Sequence, residues 1–61
     1  MIEIKDLRKL REKAGLTQPQ LAAKLDVHPA TIHRWEKGEH VPHRWLLERL
    51  SEVLGQLLED D

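Results

Sequence analysis

Four histidines, His28, His33, His40 and His43, are the side chains of this sequence that most invite a chemical role. A tetrahedral metal site needs His, Cys or carboxylate ligands brought close together. His40 and His43 flank Val41-Pro42 rather than standing one helical turn apart, cysteine is absent, and no well-placed carboxylate completes a set. No metal is expected. Ser51 is the one serine, and neither a carboxylate pair nor a Ser/His/Asp arrangement can be placed in a cleft. The sequence therefore reads as no enzyme, with no cofactor. The chemistry left is recognition. Arg34 carries a planar fork of donors that matches paired acceptors such as O6 and N7 of guanine. On an arbitrary helix such an arginine is a solvated charge, so its role depends on the element that holds it.

Composition says what those elements are. The 24 apolar residues (39%) include 11 Leu and 4 Ala, with two Trp and neither Phe nor Tyr. Leu, Ala, Glu, Lys, Arg and Gln favour helices, whereas the β-branched and aromatic residues that favour strands are scarce. The expectation is an all-α, compact four-helix domain, with the last helix extending a short way toward the C-terminus. At 61 residues the chain makes one domain, 1–61, and buries only about 60% of its unfolded surface, too little for a deep substrate cleft. Lack of cysteine removes disulfides and zinc fingers and fits a reducing, cytoplasmic setting. No apolar run exceeds three residues, so neither a membrane span nor a secretory signal is expected.

The net charge of −1 hides a polarity. Residues 1–15 carry +2, 16–27 zero, 28–45 +1 and 46–61 −4, so the net acidity sits at the C-terminal end, with Glu48, Glu52, Glu59, Asp60 and Asp61. The rest of the chain is net positive.

Ile4, Leu7, Leu10 and Ala14 recur at helical steps among five basic residues, predicting a first helix near 4–14 that stops at Gly15. Thr17-Gln18-Pro19-Gln20 reads as a capping box, with Pro19 in the first turn, opening a second helix over 18–25. The proline of Asp26-Val27-His28-Pro29 ends it and starts a third, 29–37, closed by Gly38. On that helix Ile32 and Trp35 share one side, while Ala30, His33, Arg34 and Lys37 share the other. Glu36 leans toward the core side and needs a partner there. A last helix runs from His43 to about 55 or beyond. The expected core is Leu7, Leu10, Leu21, Ala22, Leu25, Ile32, Trp35, Leu46 and Leu50, and Trp45 reads as a further core residue because a chain this small has few other large side chains.

Two short helices joined by a turn of three or four residues must cross tightly, which calls for a small residue at the crossing, Ala22, and a turn residue tolerant of unusual backbone angles, Asp26. The segment 18–37 is thus a helix-turn-helix unit with its second helix at about 29–37. Leu7-Arg8-Lys9-Leu10-Arg11-Glu12, Gly15-Leu16-Thr17-Gln18, Leu21-Ala22-Ala23-Lys24-Leu25 and Thr31-Ile32-His33-Arg34-Trp35-Glu36-Lys37-Gly38 together resemble the Cro and phage-repressor type of helix-turn-helix regulator, also called the xenobiotic-response-element family, over residues 4–55.

That resemblance implies a repressor-like domain that binds double-stranded operator DNA as a two-fold dimer, with helix 29–37 in the major groove and a palindromic site. The positions it marks for base contact are Pro29, Ala30, His33 and Arg34. Those for phosphate contact are Thr17, Gln18, His28, Thr31 and Lys37. It also points to Arg11 as the partner of Glu36 in a structural ion pair. Pro29 and Ala30 are too small to read much, which shifts direct readout to His33 and Arg34, and Asp26 stands where relatives have a turn glycine. The sequence ends soon after Gly55, without the fifth helix many relatives use to dimerise; Leu57 and Leu58, which lie beyond the last turn needed to cover the motif and would leave an apolar patch on a monomer, are the expected dimer contacts. The function this implies is a transcriptional regulator, a repressor, in the cytoplasm beside the nucleoid. The competing reading is a protein-interaction module, such as the antitoxin of a toxin–antitoxin pair, with or without operator binding. A further one is the DNA-binding piece of a longer repressor whose effector domain lies elsewhere.

Overall fold

A computed structural model describes residues 1–59; the acidic Asp60 and Asp61 lie outside the described residues. Four α-helices follow one another, α1 (Leu7–Lys13), α2 (Gln18–Leu25), α3 (Pro29–Lys37) and α4 (Arg44–Glu59), with a 3-10 turn at Ile4–Asp6 ahead of α1 and no strand among the described residues. None of these helices is long and apolar enough to cross a membrane.

Local sequence sets each boundary. The first helix is shorter than the expected 4–14 because neither Glu3 nor Asp6 offers a side-chain cap, and residues 4–6 tighten into the 3-10 turn instead. At α2 the capping box forms: Thr17 Oγ1 accepts from the Gln20 amide at 3.2 Å while Gln20 Oε1 accepts from the Thr17 amide at 2.9 Å. Helix α2 ends on Asp26, held left-handed at φ 58°, ψ 44°. There the Val27 amide reaches back to Ala22 O at 3.0 Å and the Asp26 amide to Ala23 O at 3.3 Å, the paired bonds of a Schellman exit. Gly38 at φ 78° ends α3 in the same way. Helix α4 begins one residue later than expected and continues through Gly55 without a break.

The core gathers around α2 and α3, which share the most extensive interface. Leu7, Leu21, Ala22, Leu25, Ile32, Trp35, Leu50 and Leu54 are buried, and Leu10 and Leu46 are half-buried against them. One expectation about α4 needs correcting. Trp45 is 64% exposed rather than part of the core. At about 100° per residue it points about 140° away from Leu50 and opposite Leu54, so the helix cannot bury all three. Leu54, one turn beyond Leu50 on the same face, takes the place assigned to the indole.

The N-terminal segment closes the other side. The Ile2 amide donates to Ser51 Oγ at 3.0 Å, and the Ser51 hydroxyl donates to Leu47 O at 2.8 Å. The lone serine is thus a tie between chain start and last helix.

Candidate nucleic-acid interface

Helix α3 is divided lengthwise. Ile32 and Trp35 are buried in the core, where α3 packs chiefly on α2, while His33, Arg34 and Lys37 are exposed along the opposite side and Pro29, Ala30 and Thr31 are half-buried at the N-terminal end. Pro29 fits the first turn because that position needs no N–H. One residue earlier His28, with φ −72° and ψ 142°, caps the helix, its Nδ1 accepting from the Ala30 amide at 3.1 Å. An imidazole thus does the work of the serine or aspartate usual there. Its Nε2 remains free to meet an anion.

What fixes the attitude of α3 is Glu36. Its carboxylate is 6% exposed and faces an Arg11 side chain that is 11% exposed, with Arg11 Nε 2.6 Å from Oε2 and Nη2 3.2 Å from Oε1. Arg11 Nη1 donates to Leu16 O at 2.8 Å, and Gln18 Nε2 donates to Glu36 Oε1 at 3.0 Å. One carboxylate therefore joins α1, the α1–α2 loop and the N-terminus of α2 to α3. No side-chain polar atom buried among the described residues lacks a partner. The Arg11 guanidinium is raised above its ordinary value, first by the hydrogen bond to Glu36 and then by the charges of Glu36 and Glu12, with burial opposing.

The network changes how two of the expected phosphate contacts are seen. Gln18 has one of its amide hydrogens committed to Glu36, leaving the other as its remaining side-chain donor. The Thr17 hydroxyl oxygen accepts from Gln20, leaving its proton as a donor. Among the described residues Lys37 meets only the exposed carboxylate of Glu39 at 3.7 Å.

Two hollows border α3. A polar one of about 280 Å³ is lined by Arg8, Arg11, Gln18, His33, Glu36 and Lys37. Another, of about 230 Å³, runs under the α3–α4 loop, where Arg34 and Thr31 meet His40, Val41, Pro42 and His43. The structure therefore brings Gln18, His33 and Lys37 together at one mouth and sets Arg34 and Thr31 at the other. Arg8 was not singled out by sequence, although it precedes Arg11 by one helical step of three and so shares its face. Leu57 and Leu58 are half-buried near the end of α4, away from α3. Among the described residues no three His, Cys or carboxylate groups gather as a metal site would require.

A helix-turn-helix domain family matches residues 6–60. The chain is 42% identical over 48 residues to the 26 kDa repressor protein of Escherichia phage HK022, covering 72% of this chain and 20% of that one. It is 37% identical over 54 residues to an uncharacterised HTH-type transcriptional regulator of Archaeoglobus fulgidus, covering 88% and 77%. Multiprotein-bridging factor 1 of Candida albicans is 35% identical over 51 residues, 84% of this chain, which spans about a third (34%) of that relative's length. No solved structure matches. With the buried Ile32–Trp35 face, the left-handed turn at Asp26 and the exposed face of α3, these relationships show that the chain belongs to the helix-turn-helix family of the Cro and phage-repressor type.

Proposed function

We propose that the chain is a sequence-specific binder of double-stranded DNA that regulates transcription as a repressor, with α3 in the major groove. The observation that carries this reading is the division of α3: one face is buried and clamped through Glu36, while the side chains of His33, Arg34 and Lys37 stand exposed in a row with no partner among the described residues beyond the exposed Glu39. A rigidly held helix with a free polar face is what groove reading requires. The relatives named as repressor and transcriptional regulators support it.

In this reading Arg34 takes a guanine edge through its two parallel donors and His33 a neighbouring acceptor, with Pro29 and Ala30 contributing close approach. Lys37, Gln18, Thr17, Thr31 and the free Nε2 of His28 meet phosphates, which fix register. Leu57 and Leu58 meet their copies in a homodimer, so the operator is palindromic with half-sites about 10 bp apart. Such a protein works in the cytoplasm beside the nucleoid.

Selection from a random duplex library at fixed salt delivers the site, and fluorescence anisotropy on that site and a scrambled duplex tests the roles. Arg34→Ala weakens the preferred site by about 1–3 kcal/mol and relaxes preference at one base pair. Lys37→Ala weakens both duplexes alike and lowers the salt slope by up to about one. If the wild type binds neither duplex at low salt, the DNA reading falls.

A further inference from the structure

The polar hollow between α1, α2 and α3 has an unbalanced lining. Arg8, Arg11 and Lys37 bring three cations, against Glu36 as the single carboxylate among its described lining residues. That carboxylate is paired and largely engaged, with three of its roughly four acceptor sites taken: Oε2 accepts from Arg11 Nε, and Oε1 accepts from Arg11 Nη2 and Gln18 Nε2. Arg11 has its charge paired with Glu36, and each of its three nitrogens already donates, Nη1 to Leu16 O. The charge left for a ligand thus belongs to Arg8 on α1 and Lys37 on α3, with the second amide hydrogen of Gln18 and the His33 ring as further lining groups. Arg8 and Lys37 hold only exposed carboxylates outside the hollow, Glu12 at 3.5 Å and Glu39 at 3.7 Å. Water-screened pairs of this kind exchange readily for a better anion.

We propose that this hollow seats a single DNA phosphate, held from two helices at once by Arg8 and Lys37, and that Arg8 is therefore a DNA-contacting residue of α1. The proposal deepens the DNA reading above and rests on it. A phosphate diester brings one negative charge and acceptor oxygens to a lining with donors and no free acceptor carboxylate. Arginine suits the α1 side because its fork engages two phosphate oxygens together, while the lysine opposite supplies a point charge. Bridged this way, the phosphate ties α1 to the end of α3 farthest from its N-terminus and sets how steeply α3 enters the groove.

The test uses Arg8→Gln, Lys37→Gln and the double variant, titrated on operator and scrambled duplexes at several salt concentrations, with thermal melting to show that each folds. The salt slope counts phosphates neutralised, not cations present. Two cations on one phosphate are therefore expected to give singles that each lose affinity severalfold, equally on both duplexes, and a double whose slope falls by about one. If Arg8→Gln leaves affinity and slope unchanged while the wild type binds, Arg8 touches no phosphate and the inference fails with the DNA reading intact. A double variant whose slope falls by about two, with additive losses, places the cations on separate phosphates and overturns the shared seat. Absence of wild-type binding to either duplex removes the DNA reading and this inference with it.

Discussion

Removing the Glu36 carboxylate probes the joint on which the attitude of α3 depends. In Glu36→Ala the Arg11 guanidinium, 11% exposed, keeps its charge and its bond to Leu16 O but loses both contacts to the carboxylate, and Gln18 loses its acceptor. Leaving one member of a fully buried pair uncompensated costs about 3–5 kcal/mol. Some water reaches Arg11 here, so about 2–4 kcal/mol is the expected loss. At about 0.05–0.15 kcal/mol per residue the whole domain has roughly 3–9 kcal/mol, so the variant sits near the edge of folding. Far-UV circular dichroism should show the melting temperature falling by about 8–32 °C, at about 4–8 °C per kcal/mol for a domain of this size. The apolar pair Arg11→Met with Glu36→Leu removes both charges and should recover at least about 1 kcal/mol of that loss, because the penalty comes from the orphaned cation rather than from the missing attraction. A fall below about 4 °C for Glu36→Ala, or a double variant as unstable as the single, would refute the account.

Arg11 also fixes how this loss depends on pH. Its folded value lies above an already strongly basic unfolded one, so its contribution is fully present below the unfolded value and disappears only as pH climbs through the folded value. The melting difference between wild type and Glu36→Ala should therefore be the same at about pH 7 and about pH 9, and a difference that shrinks over that interval contradicts the assignment. Asp26→Gly relieves a side chain from a left-handed backbone at φ 58° and should raise stability by about 0.5–1 kcal/mol, read as an upward shift in the melting curve. No shift would mean the aspartate is unstrained there. Ala22→Leu, at a site 1% exposed, should overpack the core beside α3 and cost about 1–3 kcal/mol. An unaltered melting temperature would place Ala22 outside the packed core.

Features of the chain that depend on neighbouring residues were readable in one dimension. The capping box at Thr17, the tolerant turn at Asp26 and the two faces of α3 follow from residue types at spacings of three and four, and each appears in the structure. Contacts across the fold were not legible in the same way. Periodicity put Glu36 on the inner side of α3, but Arg11 came from family resemblance, and the bond from Gln18, 18 residues away, had no signal in either. Trp45 differs for another reason: side-chain size argues for burial, but its angle on the helix points it to solvent. Arg8 escaped notice because a charge on an exposed helix face looks the same in sequence whether or not a hollow opens beside it.

The lengthwise division of α3 has a bearing on how such a domain can be altered. The side chains of His33 and Arg34 make no hydrogen bond or ion pair within the described chain, and the half-buried Ala30 makes its cap contact to His28 through its backbone amide, not its side chain. Replacing these three side chains therefore leaves the folding energetics nearly untouched, whereas positions 11, 18 and 36 constrain one another through a single carboxylate. A library randomised at 30, 33 and 34 should consequently keep most members folded, and new target preferences could be sampled one substitution at a time without passing through an unfolded intermediate sequence.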